Sequence, residues 1–595
     1  MANAKIAAIF NSALVLALAL GGAQRSEGAP GEVLIDRGIA VSMRDAVVLR
    51  ADIFRPKRQG QFPVLLERTP YDKSQDAPFG YRAAADGYVV VLQDVRGRYT
   101  SDGEWYPFKH ESDDGYDTIE WAARLPYSNG TVGMFGASYV GATQMLAAIT
   151  HPPHLAGICP VVTASNYHDG WTYQGGAFEQ WFNESWTSIL AQDTLARMVR
   201  AQTNAKQSVR TLPLTRYPPF NFSEGAIRTD SIASLAPYFL DWLDHRNYDT
   251  YWKRWSIEEH FNDIAVPALT TAAWYDIFQG GSLRNYEGLL AKSTESGRAR
   301  QHLLIVIGGH AGDGRKVGDV DFGESAGDYQ EEDVTLAWYD YLFRGARNNF
   351  AHKPVRIFVM GVNQWRDEDE WPLKRAQSVR YFLHSSGHAN SLQGDGKLSL
   401  HAAPTDPPDR YVYDPANPVL TLGGPLCCDA AHLAPGPKDQ RNVENRQDVL
   451  VYSTEPMTTP IEVTGPVTAE LYAQSSAADT DFTAKLVDVW PDGFAQNLTE
   501  GIIRARYRNS PSTPEPMIPG RVYKFIVDLW STSNVFGVGH RLRLEISSSN
   551  FPRFERNLNT GRTAASDTQY VSATNTILHD PSHPSALILP LVSNR

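Results

Sequence analysis

Cysteine is scarce in this chain: Cys159, Cys427 and Cys428 are the only three among 595 residues. Three thiols cannot build the disulfide framework of a small secreted scaffold, and no Cys or His spacing around them suits zinc. Cys159 falls in the apolar run LAGICPVV and reads as a small core residue. The neighbours Cys427 and Cys428 would close only a strained ring, so all three are read as structural thiols. Positive charge is short as well. With 55 Lys and Arg against 67 Asp and Glu the formal charge is -12, which argues against nucleic acid or an anionic membrane as partner. Internal repeats and low-complexity tracts are absent, and no stretch beyond the first residues is apolar and long enough to cross a bilayer.

The N-terminus is the one strongly apolar segment. Lys5 precedes a run from Ile6 to Leu20, and Gly21 and Ala23 supply small residues before Gln24. That pattern predicts a secretory signal peptide over residues 1–23 and an exported protein, periplasmic or extracellular; an uncleaved anchor is the competing reading. Removing the segment takes away Lys5 and no acid, and the charge becomes -13. Hydrophobic content of 42% and charged content of 21% are those of a folded globular protein, large enough for several domains.

From residue 24 to 160, strand-like runs (VLLERTPY, YVVVLQDVRG, TVGMFGASY, LAGICPVV) alternate with helix-like segments such as YDTIEWAARL. Alternation of this kind predicts a parallel sheet covered by helices, and it returns over 265–373 at VPALTTAAWYD, HLLIVIGGH and PVRIFVMG. Residues 161–264 are different, rich in Trp and Tyr at helical spacing, with Trp171, Trp181, Trp186, Trp242, Trp252 and Trp255. An insertion between two halves of an α/β scaffold is expected to form a helical lid, most of whose aromatics are its own core. Over 374–595 short alternating strands broken by Gly, Pro, Asp and Asn predict a β-sandwich of jelly-roll type.

The stretch TVGMFGASYVGATQMLAAIT carries the chemistry. An apolar strand ends at Phe135, small residues make the turn, and an apolar helix starts at Tyr139, as a nucleophile elbow presenting Ser138 requires. The customary second glycine is Val140 here, with Gly141 one place later. A serine nucleophile needs a base and an acid to orient it, which in this fold follow in the order serine, acid, histidine at strand ends. Asp276 follows VPALTTAAWY and His310 follows HLLIVIGG, so both order and placement fit. Taken singly, Asp276 also reads as a helix N-cap and His310 as a loop histidine between small residues. The Tyr139 amide is placed to donate to a tetrahedral oxyanion, and Tyr71, beyond the strand VLLE, is a candidate second donor or a packing aromatic.

RTPYDK, QDVRGRYTSDGEW, GASYVGAT, WYDIF followed by SLR, YVYDPANPV, DVLVYSTE, DTDFTAKLVDVWPDG and SSSNFPRFERNLNTG together resemble the cocaine esterase family of serine hydrolases. That family is related to X-prolyl dipeptidyl-peptidases and α-amino-acid ester hydrolases. The resemblance spans nearly everything after the N-terminal segment and is poorest in the predicted lid. It implies an α/β-hydrolase domain, an inserted helical domain and a C-terminal jelly roll. It also implies a Ser138, Asp276, His310 triad and a Tyr71 hydroxyl beside the Tyr139 amide in the oxyanion hole. One motif departs: where the family often has Gly-Pro-Trp-x-His, this chain has IGGHAG, so a wall tryptophan is lost.

In the same family, relatives that cleave α-amino-acid esters carry acids just after the catalytic aspartate. The matching positions here are Phe278 and Gln279, so weak selection for a free α-amino group is expected, with Asp169 or Glu179 as the charges a lid could still offer. Tyr71, Trp274, Tyr275 and Phe278 point to an apolar or aromatic acyl pocket. The chemistry needs no metal and no organic cofactor, and the expected partner is a small-molecule ester or amide. The leading expectation is a carboxylic ester hydrolase. An amide-cleaving relative, such as an X-prolyl dipeptidyl-peptidase or a β-lactam side-chain acylase, is second, and an inert hydrolase with a glycan-binding jelly roll is third.

Overall fold

The computed structural model describes residues 31–201, 235–310, 314–402, 405–562 and 569–593. The predicted signal peptide over 1–23 and part of the predicted lid lie outside the described residues.

Strands β1 (Val33–Ser42), β2 (Val48–Pro56), β3 (Phe62–Thr69), β4 (Val89–Asp94), β5 (Ser128–Ala137) and β6 (Leu155–Val161) form the first half of a ten-stranded sheet. The order is β1-β2-β4-β3-β5-β6, continued by Ala268–Ala273, Gln301–Val306, Val355–Val359 and Gln364–Glu368. From β4 through Val355–Val359 all neighbours are parallel, and the pairs outside that run are antiparallel.

The central strands are apolar throughout because both faces are covered. Val64, Leu66, Val89 and Val91 meet α2 (Glu111–Ala123) and α3 (Tyr139–Ala148) on one face. Leu65, Val90 and Leu92 meet α1 (Ala77–Ala85) and the helix Glu331–Arg344 on the other. This period-two alternation sends successive side chains to opposite cores.

Between β6 and Ala268–Ala273 the described chain holds a short ribbon (Tyr173–Gln174 with Ala177–Phe178) and the helices Gln180–Ala201, Pro237–Asp244 and Thr250–Lys253. Its tryptophans pack mainly on one another: Trp171, Trp186, Trp242 and Trp252 are buried, with Trp186 and Trp242 stacked at 6.1 Å.

The last part is an eleven-stranded, mostly antiparallel sheet in which Ile461–Ser475 pairs with Tyr523–Phe536, Ala573–Leu578 and Ala586–Val592. It shares a core with the first sheet, since Trp274, Leu283 and Ile357 belong to one apolar cluster with Phe525, Val527 and Leu529. It also grips the aromatic segment. Arg553 donates to Glu500 (2.6 Å) and to Gln174 (2.9 Å), and the Trp181 N–H donates to the Pro552 carbonyl (3.0 Å).

Candidate active site

The parallel strands of the first sheet end on the same edge, where ligands of open α/β sheets bind. Tyr71 lies just past β3, Ser138 directly past β5, Asp276 past Ala268–Ala273, and His310 past Gln301–Val306.

Ser138 has φ 62° and ψ -126°, a backbone conformation that costs a serine about 1–3 kcal/mol. Its surroundings hold it there. The Ser138 N–H donates to the Val161 carbonyl at 2.9 Å. A Cβ on Gly136, whose φ is 119°, would stand 2.4 Å from Val140 Cγ1, so glycine at 136 is what admits Val140. A Cβ on Gly141 would stand 2.8 Å from Thr163 Cβ, which explains why the second small residue sits at 141.

His310 bridges the other two polar groups. Its Nε2 is 2.8 Å from Ser138 Oγ and its Nδ1 is 2.6 Å from Asp276 Oδ1. An ionised carboxylate only accepts, so Nδ1 carries the proton and Nε2 accepts from the serine hydroxyl. Asp276 is fully buried, and its Oδ2 accepts the Phe278 N–H at 2.9 Å, which fixes the carboxylate plane. The Phe278 ring meets His310 edge-on at 5.2 Å and stacks on Trp171 at 4.4 Å.

On the opposite flank the Tyr71 hydroxyl oxygen accepts the Trp186 Nε1–H at 2.9 Å. Burial raises the Tyr71 phenol above its ordinary pKa, and the Trp186 hydrogen bond, the largest opposing influence, does not offset it. The phenol thus stays protonated, with its own O–H free to donate, beside both the nucleophile and the Tyr139 amide. The Tyr139 ring points elsewhere: its hydroxyl donates to buried Glu111 (3.0 Å), which pairs with Arg68.

Three pocket expectations need correction: Phe278, fully buried against Trp171 and His310, does not line the cavity. Trp274 and Tyr275 face away from the cavity, into the core shared with the second sheet. The Trp274 Nε1–H donates to the Phe358 carbonyl (2.7 Å) and the Tyr275 hydroxyl to the Asn497 carbonyl (3.0 Å). The physical reason is that each large ring needs both apolar contact and a partner for its polar tip, and the interface between the sheets supplies both.

Gln279 is a clamp: its Nε2 donates to the Ser531 carbonyl (2.8 Å) while its Oε1 accepts the Ser531 N–H (3.0 Å). Asp169 pairs with Arg284 (3.3 Å), Glu179 is buried 3.5 Å from Arg553 with no hydrogen bond to its carboxylate among the described residues, and neither acid lines the cavity. Cys427 and Cys428, read from the sequence as unpaired, form a disulfide between adjacent residues, and Cys428 lines the catalytic cavity.

The cavity over Ser138 and His310 has a volume of about 930 Å³. Its lining includes Tyr71, Trp186 and Leu190 together with the acids Glu67, Asp76 and Glu331. Among the described residues no three His, Cys, Asp or Glu side chains converge as a metal site requires. The sequence reading missed the Trp186 hydrogen bond and the acidic wall. The only sign of the latter was a glutamate, Glu67, in the otherwise apolar run VLLE.

The family pattern described as X-Pro dipeptidyl-peptidase (S15 family) matches residues 45–312. That of the X-Pro dipeptidyl-peptidase C-terminal non-catalytic domain matches residues 348–588. The cocaine esterase of Rhodococcus sp. (strain MB1 Bresler) is 38% identical over 581 residues, covering 94% of this chain and 99% of that protein. The chain belongs to the cocaine esterase family. As a member it is a hydrolase. Among solved structures, an α-amino acid ester hydrolase superposes with a TM-score of 0.79 at 26% identity, covering 99% of each chain. An aminopeptidase from a marine-sediment Thaumarchaeota archaeon shares the fold, with a TM-score of 0.80 at 24% identity over 98% of this chain and 100% of its own. Among the described residues no helix is long and apolar enough to cross a membrane.

Proposed function

We propose that the protein is an exported serine hydrolase that cleaves carboxylic esters through an acyl-enzyme on Ser138. The observation that carries this reading is His310, held between Ser138 Oγ at 2.8 Å and Asp276 Oδ1 at 2.6 Å, with the serine in a strained elbow. His310 Nε2 takes the hydroxyl proton as Oγ attacks the ester carbonyl, and Asp276 holds the imidazole tautomer and stabilises its charge. The Tyr71 hydroxyl and the Tyr139 N–H donate to the oxyanion. The tetrahedral adduct collapses, the C–O bond to the alcohol breaks, and the alcohol leaves with the proton from Nε2. Water then attacks the acyl carbonyl, giving its proton to His310, and Ser138 is restored as the acid departs. Tyr71, Trp186 and Leu190, which line the cavity, favour an apolar or aromatic acyl group.

In this reading residues 24–160 with 265–373 are an α/β-hydrolase domain, 161–264 its helical lid, and 374–595 a jelly roll whose loops border the site. Export rests on the apolar run Ile6–Leu20 and the small residues that follow it. Hydrolysis of p-nitrophenyl butyrate by the chain and by Ser138→Ala tests the function directly. Activity lost in the variant is expected; equal activity in both would refute the role of Ser138. Cleavage of a Gly-Pro amide in preference to the ester would make the protein a dipeptidyl-peptidase instead. Against that outcome, Gln279 is engaged by Ser531, Asp169 by Arg284, and neither Asp169 nor Glu179 lines the cavity.

A further inference from the structure

Among the described residues, the last part of the chain reaches the catalytic cavity at one point. Every other lining residue lies at or before Thr335, and the exception is Cys428. The loop that carries it is closed at its base by Gly424 and Gly436, each of which donates its N–H to the other's carbonyl (2.8 and 2.9 Å). Past the cysteines the loop turns back at Asp429, whose carbonyl accepts the Leu433 N–H at 3.1 Å. What this loop brings to the cavity is the Cys427–Cys428 disulfide.

The two sulfurs stand in different surroundings. Cys427 is 9% exposed and packed into the apolar cluster that holds Trp171, Trp186 and Phe278. Cys428 packs on the margin of the same cluster, is half-buried, and borders the cavity. A small reagent entering a space of about 930 Å³ therefore meets Cys428 and not Cys427. Cys159, the remaining cysteine, does not compete: it is fully buried among Phe135, Val161 and Tyr339, and burial pushes its thiol up to about 12, where it is inert.

Opening the bond changes the space. Two thiols no longer joined separate to van der Waals contact and take more room than a disulfide. That room has to be found on one side. Cys427 is held in a cluster packed as densely as protein interiors are, whereas Cys428 has the cavity beside it. Cys428 is then the sulfur that moves, and it moves over the space a substrate occupies.

We propose that Cys427–Cys428 is a redox-active site of the catalytic cavity that takes a small dithiol, and that its reduction narrows the cavity and slows turnover of bulky esters. One thiolate of the dithiol attacks Cys428 Sγ; the S–S bond breaks, and its electron pair leaves on Cys427 Sγ, which takes a proton. The second thiolate of the dithiol then attacks the reagent's own sulfur in the mixed disulfide and expels Cys428, which is protonated in turn. The protein gains two electrons and two protons, and the dithiol departs as a cyclic disulfide. Cytosolic thiols keep cysteines reduced and oxidising compartments let disulfides persist, so the two settings give the same chain a narrower and a wider cavity. The effect on turnover rests on the ester-hydrolase reading above; the reduction does not.

The test uses the full chain, treated with dithiothreitol under native conditions and freed of it by gel filtration under argon. Alkylation of the folded protein followed by mass measurement is expected to show two new thiols, with cooperative thermal unfolding retained. The kcat/KM ratio of p-nitrophenyl octanoate to p-nitrophenyl acetate is expected to fall about tenfold on reduction, and oxidised glutathione to restore it. The double variant Cys427→Ser with Cys428→Ser, which cannot close the bond, is expected to show the low ratio from the start and to ignore the dithiol. If that variant does not fold, reduction and reoxidation of the wild type carry the test alone. The proposal is overturned if no thiol appears in the folded protein, if both appear and the ratio stays within about twofold, or if the double variant still responds to the dithiol. Acetate turnover that Ser138→Ala abolishes would establish the ester reading in the same preparation, so an unmoved ratio there refutes the redox site alone. Absence of turnover in the oxidised chain refutes the ester reading and, with it, the claimed effect on turnover.

Discussion

Replacing Tyr71 by phenylalanine removes one oxygen from the catalytic cavity and leaves the ring in place. In the proposed mechanism that oxygen carries one of two donors to the tetrahedral oxyanion, the other being the Tyr139 N–H. Loss of one such donor costs about 2.7–4 kcal/mol of transition-state stabilisation, a fall of about 10²- to 10³-fold in kcat. KM is expected to move by less than about threefold, since the ground-state carbonyl gains little from a donor placed for the oxyanion. The substitution has a structural side effect that must be read separately. Trp186, 2% exposed, loses the acceptor for its Nε1–H, which costs about 1–3 kcal/mol of stability. Steady-state hydrolysis of p-nitrophenyl butyrate, measured well below a melting temperature determined on the same sample, separates the two effects. Trp186→Phe keeps the phenol and loses only its positioning, so its kcat should fall less than that of Tyr71→Phe. A drop in kcat smaller than about tenfold for Tyr71→Phe, or a rise in KM with kcat unchanged, would refute the assignment of Tyr71 to the oxyanion.

Asp276→Asn turns an acceptor into an amide facing His310 Nδ1 and favours the wrong imidazole tautomer; kcat on the same ester should fall about 10⁴-fold with the fold intact by circular dichroism. Glu184, buried on the helix Gln180–Ala201 with Gln180 as its side-chain partner among the described residues (3.1 Å), is pushed up to about 8 by burial. Because the folded state keeps a proton that the unfolded chain loses near its ordinary pKa, this group's contribution is full at low pH and is lost as pH rises through about 8. Glu184→Gln should therefore raise the melting temperature relative to wild type more at pH 8 than at pH 5, and the reverse order would show that Glu184 is ionised in the fold.

The convergence of Ser138, Asp276 and His310 was legible because chain order and strand ends are properties of the sequence, and a parallel sheet brings those ends to one edge. The alternation of apolar runs likewise carried the layering, since a strand buried on both faces must be apolar at every position. What a linear reading could not reach were contacts between distant segments. Trp274 and Tyr275 stand beside Asp276 in sequence, yet the turn that aims the aspartate at His310 sends both rings into the core between the sheets. Glu67 and Glu331 come from β3 and from a helix far downstream, and only the packing of that helix on the sheet makes them neighbours. The Cys427–Cys428 bond was dismissed on ring geometry, an argument from local strain that says nothing about what the surrounding loop imposes.

The clamp between Gln279 and Ser531 bears on when the enzyme comes into being. Translation delivers the nucleophile early and Ser531 late, and until the late segment folds back, the turn carrying Asp276 lacks part of its outer support: Gln279 reaches the Trp274 carbonyl but not the Ser531 backbone, and the Tyr275 hydroxyl has no Asn497 carbonyl to meet. The turn that carries the triad's acid is buttressed by a late part of the chain. A chain cut short of Ser531 keeps the serine, the aspartate and the histidine but loses this buttress, and its hydrolysis of p-nitrophenyl butyrate per molecule is expected to fall below that of the full chain.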